Sequence, residues 1–306
     1  MKKINATQYP LRKPEAALLI PDGYHVHAYE CYPKLNEAYS ALLASDVPLE
    51  TVWITDNYEK YPYLVIANTR SAMRVSDFKA SDTLRLYEYV KNGGKLLYFW
   101  HPGQGFGPFF ERTFGAVAGT VARLWEPDKL TFTADLGRFH TGEQLDLPAA
   151  ANCHPRLKPT TAEVLATVDG WPCILHNRVG KGQVIYVALD ILGGLYDLSP
   201  AKWESCPMVD LSGILMERLG LARPILCNDH NVECGFMRST ENDSCIAVLI
   251  NRNDKPSTAS AFIPGLQGYI PFDPDGNPMA YCQKDDGLEI LPPFAARKAT
   301  LVILKK

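Results

Sequence analysis

The chain has 306 residues, 46% of them hydrophobic and 21% charged, with 31 basic against 34 acidic side chains. That is a globular composition, long enough for two cores, and a formal charge of −3 without a basic block excludes a nucleic-acid or anionic-membrane partner. No apolar run approaches the ~20 residues of a spanning helix, and the opening MKKINATQYPLRKPEAALLI has neither a continuous apolar core nor a small-residue cleavage site, so it does not read as a signal peptide.

In chain order, AALLI (16–20) runs into Pro21-Asp22-Gly23, a strand and its turn. LNEAYSALLAS (35–45) repeats Leu35, Ala38 and Leu42 at helical spacing, and LETVWI (49–54) and YLVIAN (63–68) are strands. SDTLRLYEYVKNGG (81–94) predicts a helix with Ser81 as N-cap and Gly93-Gly94 as its left-handed exit, before the strand KLLYFW (95–100). Apolar strands alternating with helices predict a parallel sheet covered on both faces, a doubly wound domain. FFERTFG (109–115) predicts a short helix whose Phe109, Phe110 and Phe114, with Phe106 upstream, enter the core or meet a neighbouring subunit. Residues 120–163 read as irregular. EVLATVDGWPCILHNRVGKGQVIYVALD (163–190) then reads as hairpins turning at Asp169-Gly170 and Gly180-Lys181-Gly182. VDLSGILMERLGL (209–221) closes the domain with a helix buried through Leu211, Ile214, Leu215 and Leu219. From Ala222 the text becomes short strands (VECGFMRS, SCIAVLINRN, STASAFIP, ATLVILKK) between Asn/Asp/Gly/Pro turns, which predicts a small all-β sandwich. The expected division is an N-terminal extension (1–14), an α/β domain (15–222) and a C-terminal β-sandwich (223–306).

Eight cysteines, Cys31, Cys153, Cys173, Cys206, Cys227, Cys234, Cys245 and Cys282, form no C-x-x-C pair and no zinc spacing with histidine. They read as free thiols in a reducing cytoplasm.

YEYVKNGGKLLYFW followed by RVGKGQVIYVALD resembles the flavodoxin-like, class I glutamine-amidotransferase-like domain of family 42 β-galactosidases, known there as the trimerisation domain. VLINRNDKPSTASAFIP and GLEILPPFAARKATLVIL resemble the small β-sandwich that ends the same enzymes. The resemblance implies a flavodoxin-like doubly wound sheet followed by that sandwich, together covering most of residues 15–306. In those enzymes hydrolysis belongs to an N-terminal (β/α)8 barrel carrying two catalytic carboxylates. A barrel takes ~250 residues, and nothing here resembles eight strand–helix units. The chain therefore reads either as the non-catalytic C-terminal part of such an enzyme or as a free-standing relative. Amidotransferase chemistry would need a cysteine on the turn after strand 95–100 and a His-x-Glu after a late strand. His101-Pro102-Gly103 stands at the first place, and Asp190 with no histidine at the second.

Parallel strands end at one edge, where ligands collect. The residues following those ends are Tyr24, His25 and His27, then Asp56 beside Thr55 and Asn57, then Arg70 after Asn68 and Thr69. His101 and Gln104 follow the fourth strand and Asp190 the late one. These types hydrogen-bond sugar hydroxyls, and Tyr24 or Trp100 offers a ring face. The alternative is that they are turn and capping residues at an eroded active site. His101, restricted by Pro102, is expected at the centre as a hydrogen-bond donor to a polyol and not as a general base. His25-x-His27 lacks a third ligand, so neither metal nor cofactor is expected. Glu30 with Glu37, and Asp285-Asp286, read as solvated faces.

The leading expectation is a non-catalytic structural and oligomerisation module of a β-galactosidase-like enzyme, a homo-oligomer (a trimer) or partner of an upstream catalytic barrel, lining a carbohydrate cleft. The rival is a stand-alone hydrolase or sugar-binding protein using His25, His101 and Asp190. A thiol enzyme using Cys31 comes third.

Overall fold

The computed structural model describes residues 8–10, 13–22, 28–67, 79–99, 109–123, 129–147, 153–189, 191–192 and 207–306. Four five-residue strands come first: β1 (Ala16–Ile20), β2 (Leu49–Trp53), β3 (Tyr63–Ala67) and β4 (Lys95–Phe99). The helices are α1 (Ala28–Ala44), α2 (Ala80–Lys91), α3 (Phe110–Phe114) and α4 (Pro207–Arg218). Further strands are β5 (Ala116–Arg123), β6 (Lys129–Phe132), β7 (Gln144–Asp146), β8 (Cys153–Pro159), β9 (Glu163–Val168), β10 (Trp171–Val179) and β11 (Gly182–Val187).

β1 pairs in parallel with β2 and β3, β3 with β4, and β4 with β11. Successive residues of β1 point to opposite faces, and both faces are covered. Ala16, Leu18 and Ile20 join one core with Leu35, Ala38 and Leu42 of α1, Leu211 and Leu215 of α4, and Leu219 just beyond it. Ala17 and Leu19 join a second core with Leu86, Tyr89 and Val90 of α2 and Phe110 and Phe114 of α3. This two-sided burial is why the strands are apolar at every position rather than at alternate ones.

The sheet is not parallel throughout, which corrects the expectation of a purely parallel doubly wound sheet. It has nine strands in the order β2-β1-β3-β4-β11-β10-β9-β6-β7, and beyond β11 every pairing is antiparallel. Two of these reversals, β9 into β10 and β10 into β11, are the expected turns. Asp169 (φ 48°) and Gly170 (φ 73°) are both left-handed, as a two-residue hairpin turn requires, and Gly180 (φ 58°) turns β10 into β11. The stretch expected to be irregular holds β5 to β8, with β5 and β8 paired as a separate two-stranded ribbon. β6 is four residues long, too short for its Leu130/Phe132 alternation to stand out in the sequence.

α2 begins one residue before Ser81. Its end is capped by Asp82, whose carboxylate accepts the backbone N–H of Lys79 at 2.9 Å, and not by Ser81. α3 carries Phe110 and Phe114 into the core, where the Phe114 ring lies 4.6 Å between centroids from Tyr186, tilted by 30°.

After α4 the chain forms β12 (Leu226–Cys227), β13 (Val232–Arg238), β14 (Cys245–Asn251), β15 (Ala261–Pro264), β16 (Ile270–Phe272), β17 (Tyr281–Lys284), β18 (Gly287–Ile290) and β19 (Ala299–Lys305). They make two four-stranded antiparallel sheets, β12-β15-β18-β17 and β13-β14-β19-β16. Val232, Ala247, Leu249 and Val302 from one and Ala261, Ile263, Leu288 and Ile290 from the other fill a single core, separate from those of the first sheet. Among the described residues no helix is long and apolar enough to cross a membrane.

Candidate functional site

The edge where the parallel strands end could hold a ligand, and so could the junction between α4 and the C-terminal sheets. Of the residues expected at the edge, Tyr24, His25, His27, Arg70, His101, Gln104 and Asp190 lie outside the described residues, as do Asn68, Thr69 and Trp100, and the side chain of Cys31. Asp56 is described and exposed. It shapes the turn after β2: its backbone N–H donates to the Trp53 carbonyl at 3.0 Å, and its carboxylate accepts the Trp53 N–H at 3.4 Å. Beside it, Arg85 of α2 donates to the carbonyls of Ile54 (2.8 Å) and Asp56 (2.9 Å) and forks onto Glu59. The Arg85 guanidinium also covers the Tyr58 ring at 4.2 Å. Asp22, after β1, is held by Lys79 at 3.0 Å. The described part of this edge is thus fixed by its own ion pairs and turn bonds.

The junction was not anticipated. α1 ends in a turn where Ser45 donates to the carbonyls of Ala41 and Val209, and Asp46 takes a left-handed conformation (φ 57°). That geometry aims the Asp46 carboxylate at the C-terminal sheets, where it accepts the Cys227 N–H at 2.8 Å. His230, on the loop after β12, puts Nδ1 3.0 Å from the Ala44 carbonyl and Nε2 3.2 Å from an Asp210 carboxylate oxygen. Arg138 pairs with the other Asp210 oxygen. Arg223 donates to Glu217 (2.9 Å) and to the Ser45 carbonyl (2.8 Å). Gly213 makes room for this: a Cβ there would lie 2.4 Å from the Arg223 guanidinium. The groups enclose a cleft of about 500 Å³, floored by α4 and roofed by β12, β15 and β18.

Burial pushes the Asp46 carboxyl up to about 7, against the pull of the Cys227 N–H and the Arg223 guanidinium. Burial likewise holds the His230 imidazolium below the usual histidine value, although Asp210 and the Ala44 carbonyl favour it. A neutral ring has one N–H for these two acceptors.

Among the described residues no three His, Cys, Asp or Glu side chains gather as a metal site. The described cysteines Cys173, Cys227, Cys234, Cys245 and Cys282 are free thiols, and burial raises the Cys173 and Cys245 thiols above their usual value. Sequence patterns gave no access to the junction. Asp46, Asp210 and His230 lie far apart in the chain, and only the Ser-Asp pair closing the 35–45 helical pattern hinted at a special turn.

No family model matches the chain, and no curated protein matches it in sequence. Solved structures do. The β-galactosidase from Bacillus circulans sp. alkalophilus is 16% identical with a TM-score of 0.59, over 95% of this chain and 41% of its own. Gan42B, a GH42 β-galactosidase from G. stearothermophilus, is 16% identical with a TM-score of 0.60, over 96% of this chain and 40% of its own. α-L-Fucosidase isoenzyme 2 from Paenibacillus thiaminolyticus is 12% identical with a TM-score of 0.62, over 95% of this chain and 48% of its own. In fold, nearly the whole chain is similar to about two fifths of the length of GH42 β-galactosidases.

Proposed function

We propose that this chain is a non-catalytic structural and assembly module of a β-galactosidase-like glycoside hydrolase. Its α/β domain (15–222) meets further copies of itself, as a trimer, and lines a sugar cleft of an adjacent catalytic barrel; its C-terminal sandwich is residues 223–306. One observation carries the reading: the β-galactosidase likeness takes in 95% of this chain but leaves well over half of the Bacillus circulans enzyme unmatched. The strand order β2-β1-β3-β4-β11 supports a flavodoxin-like first domain, and the shared core of the two C-terminal sheets supports the sandwich. Among the described residues, the strands form one open mixed sheet, a ribbon and two antiparallel sheets, none of them a closed parallel barrel. The free thiols fit a cytoplasmic setting.

The test is an assay of the purified chain on aryl β-galactosides, with light scattering for its mass. The expected result is a defined homo-oligomer without turnover. Turnover abolished by one carboxylate substitution would overturn the reading, and a strict monomer would remove the assembly role.

A further inference from the structure

We propose that the cleft between α4 and the β12-β15-β18 sheet is a binding site for a neutral hexose or disaccharide, independent of any catalytic barrel. At about 500 Å³ it falls within the size range of small-molecule sites. Its polar groups come from both sides: Asp210, Glu217 and Arg138 below, Asn228, Ser260 and Glu289 above.

Each of these groups is held in place. Arg138 and His230 hold Asp210, and Arg223 holds Glu217. Glu289 accepts from the Ser260 hydroxyl at 2.7 Å and from Lys284 at 3.1 Å, and the Asn228 side-chain carbonyl accepts the Ser260 N–H at 2.8 Å. Fixed side chains lose little freedom when a ligand arrives.

The charges decide the ligand class. The carboxylates of Asp210, Glu217 and Glu289 are matched by Arg138, Arg223 and Lys284 respectively. The cleft's two guanidinium groups are therefore both engaged and leave no uncompensated cation for a phosphate or carboxylate ligand, while the fourth carboxyl of the lining, Asp46, is turned onto the Cys227 N–H. Ion-paired carboxylates still have lone pairs for O–H donors. A hydroxyl both donates and accepts, so a polyol suits a wall on which carboxylates alternate with guanidinium and amide groups.

The cleft also offers an apolar face. Phe262 of β15 is half-buried and lines it. Its ring lies across Gly287 of β18, so closely that a Cβ at Gly287 would come within 2.7 Å of it. Glycine at 287 thus leaves room for the end of the ring against the neighbouring strand, and Leu226 and Ile214 add further apolar lining. An aromatic side chain bordered by carboxylates offers the C–H groups of a pyranose an apolar contact and its hydroxyls acceptors.

The experiment is amide-resolved NMR titration of the full chain with D-galactose, with lactose and, as a charged probe, with spermidine. The expected result is saturable shifts at Asn228, Ser260 and Glu289 with either sugar. Phe262→Ala should abolish them, and Ser260→Ala should weaken binding by about fivefold, as expected for one hydrogen bond. Spectra of the free variants establish that each remains folded. The proposal is overturned if neither sugar gives saturable shifts, if the shifts lie instead around Asp22 and Asp56, if Ser260→Ala and Phe262→Ala leave them unchanged, or if spermidine alone binds.

Discussion

The backbone N–H of Cys227 donates to the carboxylate of Asp46 at 2.8 Å, joining residues 181 positions apart in the chain. Asp46 reaches it only because the residue takes a left-handed backbone (φ 57°) at the end of α1, a conformation Asp tolerates better than most side chains. The C-terminal sheets are therefore docked through a half-buried carboxyl, and docking depends on that group's charge.

This gives a pH dependence with a definite sign. The Asp46 carboxyl is raised from 3.8 to about 7 in the folded chain. The fold prefers its protonated form, so its stabilising share is complete below 3.8 and is lost as pH rises to about 7. His230, held below 6.5, works in the opposite direction on acidification. Comparing wild type with Asp46→Asn at each pH cancels His230, since both proteins carry it. The amide is neutral throughout and still accepts the Cys227 N–H. The variant should gain on wild type by ~1.4 kcal/mol over the pH unit from 5 to 6, and by less for each unit as pH passes 7. Urea unfolding at pH 5, 6, 7 and 8 measures this; parallel curves for the two proteins would sink the argument.

Arg85 ties the turn after β2 to α2 through two carbonyls, Glu59 and the Tyr58 ring. A lysine keeps the charge but has no planar fork to serve them together. Arg85→Lys should lower unfolding stability by ~1–2 kcal/mol and speed hydrogen exchange at the Asp56 amide. If denaturation midpoint and exchange both stay at wild-type values, these contacts contribute nothing.

Much of the architecture was legible because it follows from burial that the sequence must encode locally. β1, β3 and β4 are covered on both faces and so read as unbroken apolar runs, and α4 shows its Leu211, Ile214, Leu215 and Leu219 stripe directly. Asp169-Gly170 announced its hairpin because few residues adopt two left-handed conformations in succession. What stayed hidden depends on long-range partners. Nothing local says that β11 pairs with β4 on one side and β10 on the other, or that Asp46, Asp210 and His230 converge. The expected edge site rested on a general rule about parallel sheets, and Asp56, its described member, is occupied with its own turn.

Gly94 offers a steric prediction. A Cβ there would fall 2.3 Å from the Tyr89 ring, and Tyr89 cannot swing aside because its hydroxyl donates to the carbonyls of Tyr61 and Pro62, both at 3.0 Å. Gly94→Ala should cost ~2–3 kcal/mol by overpacking, whereas Gly276→Ser, where a Cβ meets nothing within 4 Å, carries only the backbone strain of φ 91°. Thermal unfolding of the two variants checks the contrast: equal losses would mean the Tyr89 contact yields at no cost.

The side chain of Cys31 lies outside the described residues, but the described thiols give an order of reactivity. A cysteine nucleophile needs access and a lowered thiol pKa. Cys173 is fully buried and its thiol is pushed up by burial, and Cys234 is raised first by its neighbour Cys227 and then by burial. Cys282 is exposed on β17, with no electropositive pocket around it except Lys284, which is engaged with Glu289. Among these described thiols, reaction with iodoacetamide at pH 7.5 should follow exposure alone: Cys282 first, Cys173 slower by about a hundredfold or more because it must wait for local opening. Peptide mass spectrometry over a time course reads the order directly. Modification of Cys227 or Cys234 as fast as Cys282 in the folded chain would mean that the Asp46 junction activates a thiol.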